Sequence, residues 1–379
     1  MKLPYSRQTI GEDDIREVIR TLKSPFITQG PKIAEFEKAL ARFCRAKYAV
    51  VFSSGTAALH SAYAAAGIGE GDEVIMPALT FAATANAALY LGATPVFVDI
   101  DKSTANMDMR DAKKKITKHT KAIVPVDYAG LPADLTVCRA LAKKHKLILI
   151  EDGAQSLGAI YKGKPVGTQA DMTMFSFHPV KTITTGEGGA VVTNSKKFYD
   201  YLLMYRTHGM TKDPRKLTDT TKAAWHQEMH MLGNNYRMTD IQAALGVSQM
   251  KKIRTFLAKR HAAARRYFSL LKHIEGLTLP PRSSLASSAW HLFVVRVDKT
   301  VRDMVFETLR AKGIGVQVHY LPVYTHPYYK SLGYRGTQCP TTEEFSASAL
   351  SIPLFPNITY REQSYVATEL EKALRKARF

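Results

Sequence analysis

Apolar residues occur in two rhythms along this chain. Short unbroken runs of apolar or β-branched residues stand at Tyr48–Phe52, Glu73–Met76, Pro95–Val98, Thr120–Pro125 and Leu147–Ile150. Runs of this length, apolar without alternation, read as strands covered on both faces. Between them lie helical stretches at 33–46, Thr56–Ala66 (small residues throughout) and Ala82–Leu91. Met172–Phe177 and Ala190–Thr193 follow as shorter strands, and the alternation predicts a mostly parallel sheet between helices. A long helix is predicted over 239–274, closed by Gly276, with Ile241, Leu245, Ile253, Leu257, Leu270 and Ile274 as its buried stripe. Beyond it, Trp290–Val297, a helix from Val301 to Lys312 and Gly315–His319 read as a βαβ-like tail. The expected organisation is α/β, with a large domain over residues 1–250 and a smaller α/β domain over 251–379.

Composition narrows the classes. With 379 residues, 45% hydrophobic and 23% charged, the chain has the make-up of a soluble globular protein. No apolar run approaches the roughly 18 residues of a membrane span, and Met1-Lys-Leu-Pro-Tyr5 has no apolar segment behind its charge, so neither a membrane nor a secretory route is expected. Cys44, Cys138 and Cys339 are odd in number and far apart, which fits a reducing cytoplasm better than a disulfide framework. The net charge of +20 is spread along the chain; its densest series, Lys251, Lys252, Arg254, Lys259, Arg260, Arg265 and Arg266, reads as the solvated face of the long helix. No nucleic-acid signature accompanies it, and a polyanionic small ligand is the better match.

The candidate chemistry lies in three places. Tyr48–Phe52 runs into Ser53-Ser-Gly-Thr-Ala-Ala-Leu59, Leu147–Ile150 ends in Glu151-Asp152, and Phe175-Ser-Phe-His-Pro-Val-Lys181 leads to Thr-Ile-Thr-Thr-Gly-Glu-Gly-Gly-Ala190. A glycine turn opening a helix holds a phosphate, an acid at a strand end pairs with a pyridinium nitrogen, and a lysine on a later strand forms a Schiff base: together, the requirements of pyridoxal phosphate. Singly, Ser54-Gly55-Thr56 is an ordinary N-cap, Asp152 a metal ligand or cap, and Lys181 a surface lysine. Their joint occurrence in this order reverses those readings. Ser176 and His178 flank Lys181 at intervals that suit pocket-facing side chains. Gly67-Ile-Gly-Glu-Gly-Asp72 precedes a strand and lacks the last residue of a dinucleotide fingerprint, while His226 and His230 lack the Glu position and third ligand of a zinc site. No metal is therefore expected.

With these stretches in place, the chain resembles fold-type I pyridoxal-phosphate enzymes of the sugar-nucleotide aminotransferase family. The resemblance runs from Pro4-Tyr-Ser-Arg-Gln8 through Phe26-Ile-Thr-Gln-Gly-Pro31 to Gln317-Val-His-Tyr-Leu-Pro322. Within the family the chain is most similar to the C4 aminotransferases of pseudaminic acid biosynthesis, through Pro125-Val-Asp-Tyr-Ala-Gly130, Ser176–Thr185, His208-Gly-Met210 and Val318–Tyr324. The resemblance implies that Lys181 is the Schiff-base lysine and proton shuttle, Asp152 pairs with the ring nitrogen, and Gln155 reaches the 3-oxygen. It further implies that Phe81 stacks on the ring, that Gly55, Thr56 and Ser176 hold the phosphate, and that Asn235 reaches in from a second subunit of a homodimer with shared sites. His319, Tyr320 and Tyr324, with Asp127 and Tyr128, are its candidates for the sugar side. Gly153, Gln155 and Gly186 depart from the closest subgroup, although Gln at 155 is widespread in the wider family. The activity implied is transamination from L-glutamate to a UDP-linked 4-keto-6-deoxy sugar, forming UDP-4-amino-4,6-dideoxy-N-acetyl-β-L-altrosamine. The alternatives are another nucleotide-linked ketosugar (perosamine, aminoarabinose or viosamine type) and a non-catalytic regulator of the same fold, against which an intact Lys181 speaks.

Overall fold

A computed structural model describes residues 2–376. Seven strands form its central sheet: β1 (Tyr48–Phe52), β2 (Glu73–Pro77), β3 (Thr94–Val98), β4 (Thr120–Ile123), β5 (Ile148–Asp152), β6 (Met172–Ser176) and β7 (Gly189–Thr193). Their order is β1-β7-β6-β5-β4-β2-β3, and only β7 runs antiparallel to its neighbours. Val50, Phe52, Val74, Met76, Ala122, Val124, Ile150, Met172, Met174 and Val191 face one core, while Val51, Phe175, Ala190 and Val192 face another across the sheet. Both faces are dry, which is why the strands read as unbroken apolar runs.

The helix Gly55–Ala65 is buried along nearly its whole length, and its alanines let it lie close to the sheet and to helix Ala83–Leu89. A Cβ at Gly189 would stand 2.5 Å from the Ser54 carbonyl oxygen, so β7 passes the head of that helix only because Gly189 has none.

The long helix runs from Asp240 to Leu271 and passes through two cores. Ala243, Val247, Met250, Ile253, Phe256 and Leu257 pack with Phe36 and Leu40 of helix Pro31–Cys44; Ala263, Ala264, Tyr267 and Leu271 pack with the carboxyl-terminal core. A division at residue 250 falls inside this helix, whose partners change between Leu257 and Ala263. Two expectations need correction. Ile241, Leu245 and Leu270 are only partly buried, the closest contact in the first half being made at Ala243 and Gly246, and Ile274 lies past the helix end at Leu271. Arg260, expected on the solvated face, is fully buried.

The carboxyl-terminal region also differs from a βαβ unit. Phe293–Arg296 pairs antiparallel with Ala349–Ile352, and Gly315–His319 forms no strand. Its backbone groups are already committed: Gly315 N donates to the Leu3 carbonyl at 2.6 Å and Gln317 N to the Ser351 carbonyl at 3.2 Å. A Cβ at Gly315 would come within 2.7 Å of the Tyr5 nitrogen, leaving the amino-terminal segment no other path.

Gly246 sets the spacing of the two long helices, since a Cβ there would meet the buried Phe36 ring at 2.6 Å. Gly246→Val overpacks this contact, and the modest gain in helix propensity of Val over Gly does not offset it. A loss of about 1–3 kcal/mol is expected, read as a lower midpoint in thermal denaturation. An unchanged midpoint would mean that the helices separate freely.

Candidate active site

The carboxyl ends of β1, β5 and β6 open into one cavity of about 440 Å³. Open α/β sheets place ligands at this edge because strand ends and helix amino termini converge there. Ser54 caps helix Gly55–Ala65 by accepting from Ala57 N at 3.0 Å, so the helix presents its first N–H groups to the cavity. Ser176 stands directly opposite, with its Cβ 3.1 Å from where a Cβ at Gly55 would lie. Gly55, Thr56 and Ser176 thus line one end, an anion cradle of backbone N–H and hydroxyl groups.

At the other side Asp152 closes β5, buried, with its Oδ2 accepting from Thr84 Oγ1 at 2.7 Å and its Oδ1 from Ala154 N at 3.1 Å. Burial raises its pKa above the ordinary value, against the opposing pull of these donors and of Lys181. Thr84 is itself held by Thr80 Oγ1 at 2.8 Å, and its carbonyl accepts from Tyr63 Oη at 3.0 Å. A buried acid fixed in this way suits a cationic ring nitrogen.

Lys181 enters the same cavity from the loop that joins β6 and β7, not from a strand as expected. Pro179 has no N–H for a ladder, and Lys181 N turns back to the His178 carbonyl at 2.9 Å. Surrounding protein strips water from the ammonium and pulls it down to about 8, although Asp152 acts in the opposite sense. A cavity with a phosphate cradle, a buried carboxylate and an amine close to neutrality fits pyridoxal phosphate in its donor set. Gln155 is oriented by two bonds, accepting from Ala129 N at 2.7 Å and donating to Tyr320 Oη at 2.9 Å. Phe81 is 61% exposed at the rim, with its ring centroid 6.0 Å from that of Tyr320.

His319 and Tyr320 line the cavity wall. His319 Nδ1 lies 2.8 Å from Ser351 Oγ, and burial together with Lys181 holds the imidazole at about 4, hence neutral at physiological pH. The remaining candidates lie elsewhere. Tyr324 is buried against Phe97, donates to Glu343 and accepts from Cys339 N at 3.1 Å, outside the cavity lining. Tyr128 donates to the His319 carbonyl and so props the wall from behind. Asp127 is fully buried and accepts from Ser156 Oγ at 2.5 Å and Ala133 N at 2.9 Å. Asn235 is exposed and outside the cavity lining, its backbone bridged to Thr207. His226 and His230 both turn to Glu228, at 3.1 and 3.0 Å, and among the described residues no group of three or more His, Cys, Asp or Glu could hold a metal.

Sequence reasoning passed over Thr84 and His291. Thr84 carried a signal, since it follows Phe81 by three positions in the stretch opening helix Ala83–Leu89 and so shares its side of the chain. His291 carried none: it arrives from beyond the long helix, 3% exposed, lining the cavity with its Nδ1 unpaired among the described residues.

The depressed lysine gives a signed prediction. In cofactor-free protein, acylation of Lys181 followed by mass spectrometry should rise with pH to a midpoint near 8, not near the usual 10.5. Asp152→Asn removes the charge that favours the ammonium, so its midpoint should fall lower still. A shift upward would contradict the pairing.

Residues 8–371 match the DegT/DnrJ/EryC1/StrS aminotransferase family. The Bacillus subtilis spore coat polysaccharide biosynthesis protein SpsC is 39% identical over 94% of this chain and 93% of its own. Among solved structures, the Helicobacter pylori aminotransferase PseC, involved in the biosynthesis of pseudoaminic acid, superposes with a TM-score of 0.93 at 34% identity, over 99% of this chain and all of its own. Streptococcus pneumoniae Spr1654, solved in apo, PLP and PMP forms, has a TM-score of 0.93 at 31% identity in its PMP form, with both chains fully covered. The likeness extends through the strands, turns and loop that build the cavity, and the protein belongs to the DegT/DnrJ/EryC1/StrS family, an aminotransferase acting on a sugar.

Proposed function

We propose that the protein binds pyridoxal 5'-phosphate in this cavity and transfers an amino group from L-glutamate to the 4-keto carbon of a UDP-linked 2-acetamido-2,6-dideoxy-hexulose of L-arabino configuration. The observation that carries the chemistry is the meeting of Lys181 and Asp152 in one cavity with the Gly55–Thr56–Ser176 cradle. The family is pyridoxal-phosphate-dependent. When bound, the cofactor supplies an electron sink that takes up the amino group from one partner and delivers it to the other. Asp152 keeps a proton on the ring nitrogen through opposite charge, an effect of roughly 1–3 pKa units. Lys181, already inclined to lose its proton, carries a proton between the reacting carbon and the cofactor. Gly55, Thr56 and Ser176 hold the phosphate, Phe81 covers one face of the ring, and Gln155 reaches the 3-oxygen.

His319 and Tyr320 are proposed to face the sugar. The likeness to PseC over nearly the whole chain supports a ketosugar of the pseudaminic type. A second reading, another nucleotide-linked ketosugar, is favoured by the 39% identity to SpsC. A side-by-side assay of 4-keto sugars on UDP, GDP and dTDP, with glutamate as donor and Lys181→Ala as the inactive control, separates the two. Preference for the UDP sugar is expected. Preference for a GDP or dTDP ketone would transfer the assignment to the second reading, and turnover by Lys181→Ala would remove the lysine's role.

The protein is further proposed to act as a homodimer in which Asn235 completes a neighbour's phosphate site. Trp225 and Leu232, on the segment that leads to Asn235, are 72% and 83% exposed in the single chain, an apolar surface that a second copy would cover. Mixing Lys181→Ala with Asn235→Ala protein should then regenerate activity, because one hybrid site carries neither lesion. Proven subunit exchange without recovery would assign each site to one chain.

A further inference from the structure

Arg260 is 1% exposed and forms no ion pair among the described residues. Its Nη1 donates to the carbonyls of Trp290 at 3.1 Å, His291 at 3.2 Å and Leu354 at 3.3 Å, and its Nη2 to the carbonyl of Val180 at 3.3 Å. Burial pulls its pKa down to about 10, which still leaves it protonated at neutral pH. A guanidinium withdrawn from water without a counter-ion is costly, and a hydrophobic side chain of similar size would fill the space more cheaply. Packing alone therefore gives no reason for it. Its acceptors do. Val180 immediately precedes Lys181, His291 lines the cavity, and Leu354 belongs to the carboxyl-terminal core. Three segments distant in sequence are fastened at one planar fork, whose fixed N–H directions a flexible ammonium cannot reproduce.

We propose that Arg260 is a positioning residue for the transamination site: it ties the backbone of the Lys181 loop to the His291 segment and to the carboxyl-terminal core, and so fixes where the Lys181 amine stands in the cavity. The reading rests on Lys181 being the working amine of the proposed reaction. A second cavity of only about 10 Å³, lined by Lys181, Thr182, Thr184 and Arg260 with residues of the amino-terminal segment, lies between the loop and the long helix, so Arg260 meets the loop across a nearly filled contact.

The test compares full-length Arg260→Lys and Arg260→Met with the parent protein. Arg260→Lys keeps the charge but cannot hold all four carbonyls, and Arg260→Met keeps the bulk without donors. In cofactor-free protein, the pH midpoint for acylation of Lys181 should move by half a unit or more in both variants. In cofactor-loaded protein, the pH midpoint of the visible absorbance should move as well. With substrates, kcat should fall at least tenfold while KM for the sugar nucleotide stays within about threefold. Folded variants with lowered thermal midpoints, but with unchanged titrations and kcat, would reduce Arg260 to a structural part and overturn the proposal. The labelling and absorbance readouts need no sugar, so they stand even if the sugar assignment fails. Should neither variant fold, hydrogen exchange on the parent protein decides. The amides of Lys181 and Thr185, bonded to the His178 and Phe177 carbonyls, should exchange together with those of Ala263–Leu271. Loop amides exchanging a hundredfold faster would show that no clamp exists.

Discussion

Withdrawing the Asp152 carboxylate from water imposes more order on this molecule than any other single arrangement. A buried acid needs donors, and these come from Thr84 on a neighbouring helix and from the turn at Ala154. Those donors are themselves tied down, Thr84 through Thr80 and Tyr63, so the requirement spreads outward into the alanine-rich layer of helices. Glu151 and Asp127 lie buried in the same region. Burial raises both above ordinary carboxylate values, Asp127 to about 7 and Glu151 well above its usual range, and the charge of Asp152 adds to the rise of each. Raised in this way, both lean toward their neutral forms, which lightens the charge packed behind Asp152. The site therefore keeps one carboxylate matched to a cation and leaves its neighbours as hydrogen-bonded supports.

The second organising element is the helix Asp240–Leu271. Its first half closes the large core through small residues that let Phe36 approach, and its second half closes the carboxyl-terminal core. Where the two halves meet, Arg260 faces inward toward the Lys181 loop. The carboxyl-terminal core is thereby fastened to the backbone next to Lys181. The amino-terminal segment adds a second link, because Leu3 packs in the carboxyl-terminal core and Tyr5 lines the cavity.

Much of this was legible in the sequence for physical reasons. The strands announced themselves because both faces are covered, and Asp152 and Ser54 because polar residues at strand ends interrupt apolar runs. What failed was whatever depends on distant pairing. Gly315–His319 has strand-like residues, but its backbone partners lie at Leu3 and Ser351, which no local pattern reveals. Arg260 reads as one cation in a basic series, since its four carbonyl partners come from three separate segments. The stripe of the long helix was misplaced because a periodicity search weights large apolar residues, while close packing here uses alanine and glycine. Tyr324 and Asp127 sit in stretches that carry the family likeness, yet their side chains turn into protein, Tyr324 toward Glu343 and Asp127 toward Ser156, and do not join the cavity wall.

The reversed strand β7 has a consequence for how the lysine is carried. Ser176 and Gly189 are register partners on adjacent antiparallel strands, so the two ends of the Lys181 loop are already side by side in the sheet. The chain-closure entropy of that loop is met first by strand pairing, and then by contacts of its own: Thr184 and Thr185 bond back to the carbonyls of Phe177 and Glu187, and Ile183 is buried beside Phe177 and Met238. The segment between is accordingly anchored at both ends by the sheet and along its length by the protein packed around it. In mechanical terms it is a bracket on a rigid base, in which the backbone is held and only the rotatable bonds of the Lys181 side chain are left to move its amine.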